Sequence, residues 1–156
     1  RRVLFRSAKV IAEIKPDVVI GPDHKLYPES HPDHLRVGEA VAKAYFMCSN
    51  VNMMKSVGAT QIAKPTVLAY YFTGKPNRFV KITKKDFEKT KAAYACFVSQ
   101  CPPPDNGKSL MLYMRLKVRL NGLRSFHIRA DAFRVMNNMH IHCCGEAEDT
   151  AIRRPL

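Results

Sequence analysis

The stretch Leu110–Ala130, which reads LMLYMRLKVRLNGLRSFHIRA, decides the predicted fold. Between residues 110 and 120, every second side chain is apolar, and a period of two is typical of a β-strand. Asn121-Gly122 follows and is a strong signal for a hairpin turn. A three-residue, bulged loop there places Leu116 opposite Phe126, so that apolar side chains share one face. The stretch therefore predicts a β-hairpin with one apolar face and one basic face.

The flanking sequence predicts helices and a second hairpin. Apolar spacing predicts a helix over residues 3–15 and another from Pro32 to Gly58. Thr83, with Asp86 three residues on, resembles a capping box and predicts the start of a third helix. The remaining assignments are two strands, Thr66–Thr73 and Arg78–Ile82, joined by a turn, a loop over Lys15–Pro32, and a candidate strand over residues 133–142. The predicted fold is α+β, with a mainly antiparallel sheet of two hairpins and about three helices, in the order α-α-β-β-α-β-β.

Length and composition bound the class of protein. A chain of 156 residues is about one domain's worth, so we expect residues 1–156 to form a single domain. Residues 1–15 are a candidate N-terminal arm or helix, and residues 145–156 are a candidate extended C-terminal tail. The composition, 46% hydrophobic and 25% charged, argues against disorder. The longest apolar run, Ala92–Val98, is too short to span a membrane.

Two features of the sequence bear on localisation, its cysteines and its first residues. Five cysteines, two of them adjacent, argue for a reducing compartment rather than a secreted disulfide scaffold. The chain begins Arg1-Arg2 without a methionine, which fits a cleaved organellar presequence or a trimmed fragment. The expected localisation is mitochondrial, or otherwise cytoplasmic.

The charge is the main functional clue. The formal net charge is +13, and residues 75–134 hold 14 Lys and Arg against four Asp and Glu. Such an excess predicts a polyanionic partner, because Arg and Lys bind phosphates. The predicted nucleic-acid-binding residues are Lys75, Arg78, Lys81, Lys84, Lys85, Arg115, Lys117, Arg119, His127 and Arg129.

These observations favour a non-catalytic, basic structural subunit of a large ribonucleoprotein. The expected partners are rRNA or another structured RNA and neighbouring protein subunits, as in a mitochondrial ribosomal protein. The alternative is a supernumerary subunit of a mitochondrial respiratory-chain or ATP synthase complex, where basic charge would meet acidic subunits or cardiolipin. A small nucleic-acid enzyme is a third hypothesis.

Several sequence motifs resemble catalytic or metal sites without completing one. Asp23-His24 and His31-Pro32-Asp33-His34 could supply metal ligands or an acid–base pair, but Pro32 and Asp33 also suit the first turn of a helix, which is the interpretation favoured. His140-Ile141-His142 lacks the downstream tyrosine of a nickase, and the adjacent Cys143 and Cys144 lack zinc-site spacing. Asn106–Ser109 ends like a phosphate-binding loop, but a strand is predicted to follow it. No enzyme activity, catalytic residue, metal or cofactor is expected.

Overall fold

The computed structural model describes residues 2–26 and 31–143 of the chain. Within these ranges it contains six α-helices and four β-strands. The helices are α1 (Arg2–Ile14), α2 (Pro32–Met47), α3 (Val51–Ser56), α4 (Lys84–Ala95), α5 (Lys108–Arg124) and α6 (Asn138–Cys143); the strands are β1 (Val18–Pro22), β2 (Val67–Tyr71), β3 (Arg78–Lys81) and β4 (Ala130–Met136). A short 3-10 helix spans Val98–Gln100. None of the helices in the described ranges is long and apolar enough to cross a membrane.

The four strands form one mixed sheet in the order β1-β2-β4-β3. β1 and β2 are parallel, with Val18 beside Val67 and Pro22 beside Tyr71. β2 and β4 are antiparallel, with Tyr70 beside Arg134. The predicted antiparallel sheet of two hairpins with three helices is therefore wrong. The chain is α+β with a four-stranded mixed sheet.

Neither predicted hairpin exists. β2 and β3 lie where strands were expected, but β4 lies between them in the sheet. Residues 108–124 form helix α5, not a strand. Asn121 and Gly122 lie inside this helix and are buried. A Cβ on Gly122 would stand 2.6 Å from the carbonyl oxygen of His127, so no larger residue fits at this position. This glycine serves the close approach of the following chain rather than a turn.

Other local predictions match the structure more closely. Helix α4 begins with the capping box predicted at Thr83, whose side chain accepts from the Asp86 amide while the Asp86 carboxylate accepts from the Thr83 amide. Helix α2 begins at Pro32, as expected, but Asn50 caps a separate helix α3 within the stretch predicted as one helix. Strand β1 lies in the stretch predicted as a loop, because its neighbouring prolines masked the apolar residues Val18–Ile20.

Contacts divide the chain into two compact units. Unit 1 comprises residues 1–78 and 133–156, and unit 2 comprises residues 79–132. In unit 1, helices α1 and α2 pack together, and α2 also packs on β1. The core of unit 1 includes the fully buried side chains of Tyr45, Cys48, Met54, Leu68 and Tyr70. In unit 2, Phe87 of α4 and Val118 of α5 are buried. The predicted tail, residues 145–156, lies outside the described residues.

Candidate functional site

The carboxyl ends of the parallel strands β1 and β2 lie at the same edge of the sheet in unit 1. In open sheets with parallel strands, ligands bind outside this edge. Asp23 comes directly after β1, and its backbone N–H donates to the carbonyl oxygen of Tyr71 at the end of β2 (3.0 Å). The chain then leads toward α2, whose first turn carries the histidines singled out from the sequence.

A buried ion pair lies at this edge. The Nε of Arg134 donates to Oδ2 of Asp23 (2.9 Å), and Nη2 donates to Oδ1 (2.6 Å). Both side chains are 3% exposed. The guanidinium also lies over the ring of Tyr70, 4.6 Å from its centroid, and Nη1 lies 2.9 Å from the sulfur of Met136. A planar fork that matches a carboxylate in two bonds fixes direction as well as distance. The pair therefore joins the end of β1 to β4.

The hydrogen bonds around Asp23 keep its carboxylate ionised. Burial by itself would raise the pKa of Asp23, but hydrogen bonds from Arg134, Thr73 and the Lys25 amide, together with the Arg134 charge, hold it below the ordinary value of 3.8. The Lys25 amide donates to Oδ1 over 3.0 Å. Because the carboxylate accepts these bonds, it is a fixed anchor for the loop rather than a proton donor.

His24 follows Asp23 and is half-buried. Its ring meets that of Tyr70 edge to face, with centroids 5.5 Å apart. Burial lowers the pKa of His24 below 6.5, against the attraction of the neighbouring Asp23. The Nδ1 of His24 and the hydroxyl of Tyr70 are buried, and neither has a hydrogen-bond partner among the described residues. These two atoms are the unsatisfied polar groups of the site.

Close packing holds helix α2 against this loop. Gly38 of α2 faces Pro22 and His24, and a Cβ on Gly38 would stand 2.4 Å from the carbonyl oxygen of Pro22 and 3.0 Å from the His24 amide nitrogen. No side chain fits in that space. The glycine therefore allows α2 to lie directly on the chain that leaves β1.

The first turn of α2 presents two imidazoles. His31 caps the helix, since its Nδ1 accepts from the Asp33 amide (3.3 Å), and its ring stacks on that of His34 with centroids 4.8 Å apart. His31, Asp33 and His34 are all exposed. The interpretation of Pro32 and Asp33 as a helix start is confirmed. His31, Asp33 and His34 are the types of residue that bind metals, but in the described ranges no three His, Cys, Asp or Glu side chains are grouped closely enough to hold an ion.

Sequence reasoning did not select Arg134 or Tyr70. A signal for Arg134 was present, because it is the one charge in the apolar run Ala132–Met136. A lone charge on a strand that is buried on both sides requires a buried partner. Asp23, three residues after the apolar run Val18–Ile20, is the complementary signal.

The other sequence motifs have different surroundings. The residues after Asn106–Ser109 form helix α5 and not the predicted strand. Asp105, two residues before the N-cap residue Gly107, accepts from the Ser109 amide (3.1 Å) and hydroxyl (3.1 Å). His140 lies on helix α6, where its Nδ1 accepts from the Asn137 amide. The strand geometry assumed for His140 and His142 is therefore wrong. Cys144 lies outside the described residues.

The ten predicted nucleic-acid-binding residues do not lie on one hairpin face. Lys75 precedes β3, Arg78 and Lys81 lie in β3, Lys84 and Lys85 begin α4, Arg115, Lys117 and Arg119 lie on α5, and His127 and Arg129 lie between α5 and β4. Four of them, Lys84, Arg115, Arg119 and Arg129, line one cavity in unit 2. The binding role of the individual residues remains an untested prediction.

Comparison with known proteins points to a class of enzyme. No protein-family profile matches the chain. A diacetylchitobiose deacetylase of Thermococcus kodakarensis is 30% identical over 148 residues, which are 92% of this chain and 54% of that protein. The solved structure of the N,N′-diacetylchitobiose deacetylase from Pyrococcus horikoshii, in complex with its inhibitor MPG, is similar with a TM-score of 0.81 at 25% identity, over 94% of this chain and 55% of that one. The chain spans about half the length of these relatives.

These similarities overturn the function predicted from charge. The homologues are deacetylases, which are enzymes acting on chitobiose, and not structural subunits of a ribonucleoprotein. The predictions of a non-catalytic ribosomal protein, of an rRNA partner and of assembly into a ribonucleoprotein are therefore wrong. Net charge reports on solubility and nonspecific attraction and does not identify a fold or a reaction. The architecture of the chain is that of a deacetylase fold.

Proposed function

We propose that this chain takes part in removing the acetyl group from an N-acetylated amino sugar, with N,N′-diacetylchitobiose as its model substrate. The observation that carries the proposal is its likeness to the two archaeal deacetylases, at 30% sequence identity and at a TM-score of 0.81. The position of the histidines, after the carboxyl end of a parallel strand, supports the same conclusion.

The reaction is the hydrolysis of an amide. The oxygen of a water molecule forms a bond to the acetyl carbonyl carbon, and the carbon–nitrogen bond breaks. The sugar nitrogen gains a proton, so the products are acetate and a free amine. This sequence needs a group that accepts a proton from water, a group that donates one to nitrogen, and stabilisation of the negative oxygen between the two steps.

The first turn of α2 has the chemistry for proton transfer. Imidazole is the side chain that most often acts as a general acid or base. His31 and His34 place two imidazoles side by side on one helix start. The N-terminal end of a helix also carries partial positive charge, which favours a developing oxyanion. We assign His31 and His34 to proton transfer and to contact with the acetamido group.

The buried pair of Asp23 and Arg134 holds the segment against which α2 packs. Asp23 and Arg134 hold the end of β1, and Gly38 fixes α2 against the same segment. A geometry held by packing and hydrogen bonds loses little free energy to reorganisation during the reaction. Asp23 and Arg134 are therefore positioning residues, not proton donors.

Acetate release from N,N′-diacetylchitobiose by the purified chain tests the proposal. His31→Asn retains a capping oxygen for α2 but removes the imidazole, and His34→Gln removes the second one. Each change should lower kcat by a factor of about 10²–10⁴, the usual contribution of a general acid or base. Circular dichroism should show the helices intact in both variants.

His127→Ala is the matched control, since this histidine is exposed and belongs to unit 2, whereas His31 and His34 belong to unit 1. It should leave the rate of acetate release unchanged. If the chain releases no acetate, or if His127→Ala lowers the rate as much as His31→Asn does, the proposal is wrong.

A further inference from the structure

Unit 2 contains a cavity of about 230 Å³ surrounded by cationic side chains. Lys84 comes from the first turn of α4, Arg115 and Arg119 from α5, and Arg129 from the segment before β4. Arg115 and Arg119 are four residues apart, so they lie one above the other on the same face of the helix. Three separate segments of unit 2 thus direct positive charge to one place.

The floor of this cavity is apolar. Phe87 and Val118 line it, and they are 7% and 2% exposed. Lys84, Arg115 and Arg119 are exposed and Arg129 is half-buried, so an anion can reach all four cations from solvent.

The part of the chain that the structure describes does not neutralise these cations. Glu88 is the one carboxylate in the lining, against four positive side chains. Within residues 2–26 and 31–143, none of the four cations Lys84, Arg115, Arg119 and Arg129 forms an ion pair. The lining of the cavity has a formal charge of +3, which a dianion would largely balance.

We propose that this cavity binds a phosphate group. The planar fork of arginine matches phosphate oxygens in two parallel hydrogen bonds, and three arginines with a lysine offer more donors than one phosphate needs. The volume is below the range of about 300–1,000 Å³ typical of sites for drug-sized ligands. It admits a phosphate and a small attached group rather than a long polymer.

This site goes beyond the proposed deacetylation. Diacetylchitobiose carries no charge, so it gives no reason for a cluster of cations. All the lining residues belong to residues 79–132, whereas the histidines, Asp23 and Arg134 belong to unit 1. A neutral disaccharide should therefore not displace the phosphate.

Calorimetric titration of the full chain with inorganic phosphate tests the site. We expect saturable binding at one site per chain. Arg119→Ala should weaken binding at least tenfold, and Arg119→Lys, which retains the charge without the fork, should restore part of the loss. Arg124→Ala is the matched control, because it removes the same charge from the same helix outside the cavity lining. Its effect should be less than twofold.

A parallel titration with glucose 6-phosphate identifies the source of the group. Tighter binding of the ester than of inorganic phosphate supports the site and assigns it to a phosphorylated small molecule. Equal binding supports the site and assigns it to free phosphate. Binding that does not saturate, or an equal loss in Arg119→Ala and Arg124→Ala, would show diffuse charge attraction and overturn the proposal. Melting curves without phosphate check that the variants are folded.

Discussion

At the scale of single residues, the Asp23–Arg134 pair is the most constrained feature of the site. Two buried charges are tolerated because the carboxylate accepts from the guanidinium, from the Lys25 amide and from Thr73. Loss of one partner leaves an uncompensated buried charge, whereas the loss of both removes the problem together with the pair. Substitution of both residues should therefore lower the free energy of unfolding by less than the sum of the two single losses.

Arg134→Met should lower the free energy of unfolding by about 3–5 kcal/mol, because it leaves the Asp23 carboxylate buried and unpaired. Adding Asp23→Asn should recover part of this loss. Urea denaturation of the four proteins in a double-mutant cycle measures the coupling. Additive losses would contradict a direct interaction between the two side chains.

The pKa shifts of His24 and Asp23 predict how stability depends on pH. The folded-state pKa of each group lies below its unfolded value, so the unfolded chain binds more protons between the two pKa values and stability falls as pH falls. The loss due to His24 begins near pH 6.5, and that due to Asp23 begins near pH 3.8. His24→Gln should flatten the upper part of the profile and leave the lower part. Urea denaturation at several pH values measures the free energy of unfolding of both proteins. If His24→Gln leaves the pH dependence near pH 6.5 unchanged, the prediction is wrong.

At the scale of elements, helix α5 separates two interpretations of the same sequence. In a strand, Leu116 and Val118 would share the buried face. In α5, Val118 is 2% exposed and Leu116 is 52% exposed. Residues two apart lie on different sides of a helix, so their substitution by alanine should have unequal effects.

Val118→Ala should lower the free energy of unfolding by about 2 kcal/mol, for the two carbon atoms lost from a buried site. Leu116→Ala should change it by less than about 0.5 kcal/mol, as exposed substitutions usually do. Chemical denaturation of both variants measures the difference. A large loss at Leu116 with none at Val118 would support the strand instead.

Local signals in the sequence predicted local structure, but they did not predict which distant strands and residues pair. The Thr83 capping box and Pro32 both begin helices because their effects act within one turn. The order β1-β2-β4-β3 depends on contacts between distant residues, such as Asp23 with Arg134. Asn121-Gly122 was misread for the same reason, because the need for glycine comes from the chain at residues 127–129 packing against it. The histidines at the start of α2 were visible in the sequence, and Asp23 and Arg134 each carried a signal, but the pairing of these two residues depends on the fold.

At the scale of the whole molecule, positive charge is dense in unit 2. Residues 79–132 hold 11 Lys and Arg and four Asp and Glu, a formal charge of +7 of the total +13. The residues assigned to the proposed deacetylation include a neutralised ion pair and two exposed histidines, all in unit 1. More than half of the charge excess therefore belongs to unit 2, which contains the proposed phosphate cavity, and it gives no information about an amide hydrolysis on a neutral sugar.

The proposed deacetylation of a neutral sugar and the proposed binding of a phosphate should depend differently on salt. Between about 0.01 M and 1 M salt, the screening length falls from about 30 Å to about 3 Å. The kcat/KM for acetate release from diacetylchitobiose should change less than about twofold over this range, because an uncharged substrate gains nothing from the field of unit 2. Phosphate affinity should fall at least tenfold over the same range, and Arg119→Ala should reduce this dependence. Parallel losses of both activities in a chain that remains folded by circular dichroism would mean that the cations of unit 2 take part in deacetylation.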